Sequence, residues 1–409
     1  MVAPLKTAAA AAGEFVPRSV FEVSPSITRS YFLGHHAAAL SSMRRALSNI
    51  GLVLECRDSR VPLTSANPLL DKALAGRPRI VVYTKSSLCA PASANRWLEK
   101  QRALLAEWNA PAPPPPSPPS QLSHGLGAHS HHPGHTEVVF TDEHNPRSIS
   151  RLLGLVKAHA RRADSLVGMR ALVVGMPNAG KSTLLNALRR VGLRLPKAAR
   201  TGAEPGVTRH VSTPVRVVDA ETGPDGAAGD LEGGVFVMDT PGVFIPYVSE
   251  AESMLKLALV GCVKDGLVPA ETVADYLLFR LNLEDPALYA HLQAAGTGPT
   301  NDVRAFLESV AWRTGKLLRG GAPALDHAAD WVVQQWRAGR LGRFALDDVS
   351  EDALRSVRER RFAADTAPPG PDGARPDGER LSMNQARKRE KEARKERNAA
   401  KRKLAAGGA

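Results

Sequence analysis

Apolar residues along this chain gather into short, dense runs that each stop abruptly at a polar loop. Residues 51–56 end at Arg57-Asp58-Ser59-Arg60, 79–83 at Thr84-Lys85-Ser86-Ser87, 137–140 at Thr141-Asp142, and 171–174 at a glycine-rich turn. A strand covered on one face alternates apolar with polar positions, whereas these runs are continuous. That predicts strands buried on both faces, the mark of a parallel sheet. Helical spacing separates them, as over 41–50, where Met43, Leu47 and Ile50 share a side. Strands alternating with helices predict a doubly wound, mostly parallel α/β sheet. Two more β-rich runs, 211–218 and 235–238, follow the glycine turn. From residue 250 the period becomes helical, over 251–263, 271–282, 303–318 and 324–339, and Trp312, Trp331 and Trp336 read as core residues there.

The breaks in this pattern set the expected boundaries. Residues 1–30 carry Lys6, Arg18 and Arg29 with no acid before Glu14, which reads either as a mitochondrial presequence or as an unstructured terminus. An α/β domain is expected over 31–248, interrupted by a proline- and histidine-rich insertion at 110–135 that can join neither helix nor central strand. An α-helical domain is expected over 249–350, and a linker with a basic, disordered tail over 351–409. Five histidines of the insertion, between His124 and His135, have no cysteine or carboxylate beside them until Glu137, so low complexity is preferred to a metal site.

Composition changes this picture in two respects. The formal net charge is +13, and ten Lys or Arg against three Glu between residues 385 and 404 supply over half of it. A polyanionic partner is therefore expected. The three cysteines, Cys56, Cys89 and Cys262, lack paired spacing and point to a reducing compartment rather than a disulfide framework. No apolar run is long enough for a membrane-spanning helix.

The chemistry starts at Gly175-Met176-Pro177-Asn178-Ala179-Gly180-Lys181-Ser182-Thr183, between an apolar strand and an amphipathic helix. This is the phosphate-loop pattern in its required context. Backbone N–H groups from Asn178 to Thr183 would face phosphate oxygens, Lys181 would reach the β- and γ-phosphates, and the Ser182 hydroxyl would ligate Mg²⁺. Downstream, Thr208 closes a polar segment, and Asp239-Thr240-Pro241-Gly242 closes a strand. There Asp239 suits a water-mediated Mg²⁺ contact and Gly242 a backbone N–H to the γ-phosphate. No Asn-Lys-x-Asp follows Gly242; its nearest counterpart, Thr84-Lys85-Ser86-Ser87, lies upstream. That order implies a circular permutation of the sheet, with the helical domain tying down the terminus left after Gly242.

On these residues, with Tyr31-Phe32-Leu33-Gly34-His35, the run 58–68, Glu204-Pro205-Gly206-Val207-Thr208-Arg209 and Leu255-Lys256-Leu257-Ala258-Leu259, the chain resembles the circularly permuted ribosome-assembly GTPases related to bacterial ribosome biogenesis GTPase A, and among them the mitochondrial members. The resemblance spans about residues 29–346. It implies GTP hydrolysis stimulated by the large ribosomal subunit or its precursor, rRNA as partner, a monomer in the mitochondrial matrix, and peripheral attachment to the inner membrane. It also assigns roles. His35 matches a mobile catalytic histidine, because Val243 stands where related enzymes carry a water-orienting glutamine. Asn178 matches a K⁺ ligand, and Thr208 a switch threonine on Mg²⁺. Thr84, Lys85, Ser86 and Ser87, with Thr141 and Asp142, match the base-binding loops. One departure is that Ser87 stands where the family has the aspartate that accepts two hydrogen bonds from guanine; a neutral hydroxyl cannot accept both. A nucleotide-gated scaffold with little hydrolysis, and a P-loop ATPase of relaxed base preference, therefore remain as alternatives.

Overall fold

The structure is a computed structural model describing residues 15–24, 27, 34–90, 95–110, 136–163, 165–199, 202, 208, 211–220, 231, 233–245, 248 and 250–366. Most of the N-terminal segment, the proline- and histidine-rich insertion, Tyr31 to Leu33, residues 203–207 and the basic tail lie outside the described residues.

The dense apolar runs become six strands of one sheet: β1 (Leu52–Asp58), β2 (Arg79–Thr84), β3 (Thr136–Phe140), β4 (Met169–Gly175), β5 (Val215–Val218) and β6 (Val235–Asp239). Their order is β3-β2-β1-β4-β6-β5, and every pairing is parallel except β5 with β6. β5 is shorter than its β-rich run because Pro214, which has no N–H to donate, precedes it.

Burial on both faces is visible residue by residue. Leu52, Leu54 and Cys56 of β1, with Ala171 and Val173 of β4, join the core under α4 (Pro146–Ala163) and α5 (Lys181–Leu193). The intervening Val53, Leu172 and Val174 pack on the opposite side with α1 (Gly34–Ala46) and α2 (Pro68–Ala73). Further along that side Val81 and Tyr83 pack against Leu105 and Trp108 of α3 (Asn95–Asn109). All three cysteines are buried and unpaired.

The helices expected after residue 250 appear as α6 (Ala251–Leu259), α7 (Ala270–Glu284), α8 (Val303–Thr314) and α9 (Leu325–Arg337). Trp336 is buried and Trp331 is half-buried against the same core. Trp312 departs from the reading of all three as core: it is 60% exposed, because α8 buries Phe306, Leu307, Val310 and Ala311 on the opposite side. Residues placed with the linker also depart from expectation, since Glu351–Thr366 forms α10. Its sequence is mostly charged, but Leu354 and Val357 dock on the cluster around Tyr83 and Trp108.

Helical and sheet parts meet through the loop after β1. Asp347 accepts from Leu63 N, Thr64 N and Thr64 Oγ1 at 2.7–2.9 Å, and Leu346 N donates to Arg60 O at 2.7 Å. Arg280 of α7 fixes the same segment by donating to the Ala345 and Leu346 carbonyls.

Candidate nucleotide-binding site

The carboxyl ends of β1, β2, β4 and β6 converge, and parallel sheets place ligands at that edge. At the end of β4, Gly175 has φ 144°, and a Cβ there would lie 2.3 Å from the Cys56 carbonyl of β1. Only glycine lets the loop leave the strand so close to its neighbour. Asn178 takes a left-handed conformation (φ 54°), and α5 opens at Lys181 behind Gly180. This turn-and-helix geometry aims backbone N–H groups at an anion.

Lys181 is buried, and its Nζ donates to the Met176 carbonyl within the loop at 2.7 Å. Burial holds its ammonium pKa below the ordinary lysine range, opposed by the nearby Asp239 charge. Asp239 ends β6 and accepts from Ser182 Oγ at 2.5 Å, while the Ser182 and Thr208 hydroxyls lie 3.3 Å apart. Among the described residues Asp239 Oδ1 is buried without a hydrogen-bond partner, and burial raises the pKa of its carboxyl. Two hydroxyls and a carboxylate with an unsatisfied oxygen are the hard donors that a Mg²⁺ ion takes. Ser182, Thr208 and Asp239 thus fit the ion that sequence reasoning placed on them.

The following turn is pressed onto the phosphate loop. A Cβ at Gly242 would lie 2.6 Å from Pro177 N, and Val243 N donates to Gly175 O at 3.1 Å. Val243 itself is fully buried in the cluster formed with α1, Leu172 and Val174, and its carbonyl accepts from Asn67 Nδ2 at 2.9 Å. Its side chain cannot reach a water at the phosphates. His35 lies in the first turn of α1, in the helix packed against Val243, and its side chain is outside the described residues.

The motifs written in reversed order meet in space. Thr84 Oγ1 donates to the Ala179 carbonyl at 2.9 Å, and Lys85 Nζ donates to the Asn178 carbonyl at 2.8 Å. Lys85 is left-handed (φ 56°), a conformation that non-glycine residues hold only where the surroundings impose it. The loop after β3 closes on the same place: Ser86 N donates to Thr141 O at 3.1 Å and Ser87 N to Asp142 Oδ2 at 3.2 Å. The phosphate loop and these two loops form one continuous rim.

Two participants were not assigned from sequence. Asp58, fully buried at the end of β1, accepts from Lys85 Nζ at 2.8 Å and from Arg60 Nε and Nη2 at 3.0 and 2.8 Å. These cations hold its carboxyl well below the usual carboxylate range, against the opposing effect of burial. Arg60 in turn lies 4.9 Å from the Trp336 ring, so one carboxylate joins the base loop to the helical part. The only sequence signal was an acid between two arginines at a strand end. Gly261, after α6, is the other: its carbonyl accepts from Asn178 Nδ2 at 2.7 Å.

Comparison with known proteins agrees with this geometry. The family described as 50S ribosome-binding GTPase matches residues 170–290. Mitochondrial GTPase 1 of Schizosaccharomyces japonicus is 37% identical over 336 residues, covering 79% of this chain and 91% of that protein. Mitochondrial ribosome-associated GTPase 1 of Xenopus tropicalis is 30% identical, over 81% of this chain and 98% of that protein. Ribosome biogenesis GTPase A of Priestia megaterium is 30% identical, over 80% and 98%. With the phosphate-loop pattern, the Ser182, Thr208 and Asp239 oxygens and the 84–87 and 141–142 loops on one rim, and relatives that match along nearly their whole length, the chain belongs to the mitochondrial GTPase 1 family of GTP-hydrolysing proteins.

Proposed function

We propose that this GTPase is an assembly factor for the large subunit of the mitochondrial ribosome, and that hydrolysis of bound GTP times its release from the ribosomal precursor. The observation that carries the reading is the tie between the nucleotide rim and the helical part through Asp58, Arg60 and Trp336. A change at the base loop has a direct mechanical route to a surface that a large partner could hold. The names of the relatives, one ribosome-associated and one for ribosome biogenesis, supply the class of partner. They also support mitochondrial location; the matrix, peripheral attachment to the inner membrane and a monomeric state are part of the proposal. No described helix is long and apolar enough to cross a membrane.

The roles divide as follows. Asn178 to Thr183 and Gly242 bind the phosphates through backbone N–H groups, and Lys181 neutralises them. Ser182, Thr208 and Asp239 hold Mg²⁺, which when bound offsets negative charge on the transferring phosphoryl group. Asn178 holds K⁺ beside the phosphates. Val243 is locked into the core, so water must be oriented from elsewhere, and His35 on the adjoining helix does this. GTP turnover should exceed ATP turnover and rise with large-subunit particles and with K⁺ over Na⁺. His35→Ala should lower particle-stimulated turnover by roughly a hundredfold while leaving GTP affinity unchanged. Normal turnover by that variant on the particle would remove His35 from the mechanism.

The surface offers a place for rRNA besides the tail. α4 and α5 pack side by side, and Arg190 Nη2 donates to the Glu143 carbonyl at 2.7 Å before α4. Neither helix contains an acidic residue. Arg147, Arg151, Arg162, Arg190, Arg194 and Lys197 are exposed on or just beyond them. Such a face attracts a phosphate backbone, and the attraction weakens as salt rises. Changing Arg147, Arg151 and Arg190 to glutamate should reduce the slope of log affinity for large-subunit particles against log salt by about one per arginine. Deleting residues 385–409 should reduce it separately, and an unaltered slope in either variant excludes that segment as a contact.

A further inference from the structure

The base-binding loops carry an unusual arrangement of functional groups. Guanine presents two neighbouring donors, N1–H and the 2-amino group, and a carboxylate is the side chain that accepts both with charge assistance. Ser87, which the resemblance in sequence places at that position, has a single neutral hydroxyl that cannot. In the fold, however, a carboxylate stands against that serine. Asp142, at the start of the loop after β3, accepts from Ser87 N through Oδ2 at 3.2 Å. Its Oδ1 accepts from His144 N at 2.7 Å, and its own N–H donates to Ser148 Oγ at 3.0 Å. The two loops are further joined by Ser86 N donating to Thr141 O at 3.1 Å.

We propose that Asp142 is the guanine-selecting residue of this protein. Hydroxyl and carboxylate have traded loops: the 84–87 loop keeps the small hydroxyl, and the 141–144 loop brings the acid to the same place. Two backbone donors fix the carboxylate without exhausting it, since an ionised carboxylate offers about four acceptor sites. Lys85, held by Asp58 and the Asn178 carbonyl, stays in the base loop beside it. The proposal rests on the reading of these loops as the base site, and it removes the objection that Ser87 alone raises to guanine preference.

A purely structural Asp142 would only fix its loops, and asparagine, whose single amide oxygen can accept from one of the two N–H groups, would then weaken all nucleotides alike without changing their ratios. Asp142→Asn therefore separates the roles. Binding of GTP, inosine triphosphate, xanthosine triphosphate and ATP is measured by competition against a fluorescent nucleotide on the full chain. The wild-type protein should prefer GTP to inosine triphosphate, which lacks the 2-amino group. Asp142→Asn should weaken GTP by about tenfold or more. It should favour xanthosine triphosphate, whose 2-carbonyl accepts from the new amide, and leave ATP unchanged. The exchange Ser87→Asp with Asp142→Ser should restore GTP preference. If the wild-type protein prefers GTP over ATP but Asp142→Asn keeps every ratio, the proposal is wrong and the guanine site stands. If the wild-type protein does not prefer GTP over ATP, the base-site reading falls, and this proposal with it. Should Asp142→Asn prove unstable, the double exchange decides: lost guanine preference in a folded protein overturns the swap.

Discussion

Replacing Lys181 with alanine is expected to weaken GTP binding by at least about a hundredfold, roughly 3 kcal/mol, while leaving the folded protein intact. The size follows from what the side chain faces. Its ammonium is buried at the start of α5 and, among the described residues, has only a loop carbonyl, that of Met176, at hydrogen-bond distance. A polyphosphate arriving at that place meets a desolvated positive charge, and electrostatic attraction is strong where water is excluded. The same burial gives the prediction its second half. A lysine whose folded pKa lies below its unfolded value opposes folding: the penalty is full below the folded pKa and disappears as pH rises to the unfolded one. Removing Lys181 should therefore leave the melting temperature of the nucleotide-free protein unchanged or slightly raised. Equilibrium binding and a thermal melt of Lys181→Ala check both halves. A variant that loses affinity only because it unfolds would contradict the account.

What the sequence revealed and what it hid differ for a physical reason. Strands β1, β2 and β4 were legible because burial on both faces writes a dense apolar run, whereas β3, an edge strand in which only Val139 is fully buried, was legible from the short run Val138, Val139 and Phe140. The phosphate loop was legible because its glycines answer local demands, such as the approach of Gly175 to the Cys56 carbonyl. The convergence of Thr84 and Lys85 on Ala179 and Asn178 was inferable from motif order once a single sheet was assumed. Long-range polar pairing leaves no such trace. Nothing in the order of residues says that Asp58 serves both Lys85 and Arg60, that Asn178 reaches Gly261, or that Asp142 stands against Ser87. Trp312 and α10 were misjudged because amphipathic faces depend on which neighbour is present. Trp312 shares a helix with four core residues yet points away, while two apolar residues suffice to dock the otherwise charged α10.

Asp58→Asn should cost about 3–5 kcal/mol of stability at neutral pH, enough to lower the melting temperature by roughly 10 °C in a chain of this size. The wild-type carboxylate has no access to water and is compensated by the Lys85 ammonium and the Arg60 guanidinium. An amide of the same shape leaves both cations facing a neutral group that can itself only donate from one side. The dependence on pH fixes the cause. Because the folded pKa of Asp58 is depressed, its contribution is fully present above the unfolded carboxyl pKa of about 3.9 and fades as pH falls below it. Wild-type and variant melting curves should thus approach one another in acid, and the variant should show a shallower acid limb. A gap that stays constant down to pH 3 would mean that packing, not charge, makes Asp58 necessary. The loss should also be functional, since Asp58 holds Lys85 toward the phosphate loop and Arg60 against Trp336. A variant folded at low temperature should bind GTP less tightly and, on the proposed function, lose the stimulation of its turnover by large-subunit particles, because the link between the two parts has been cut at its middle.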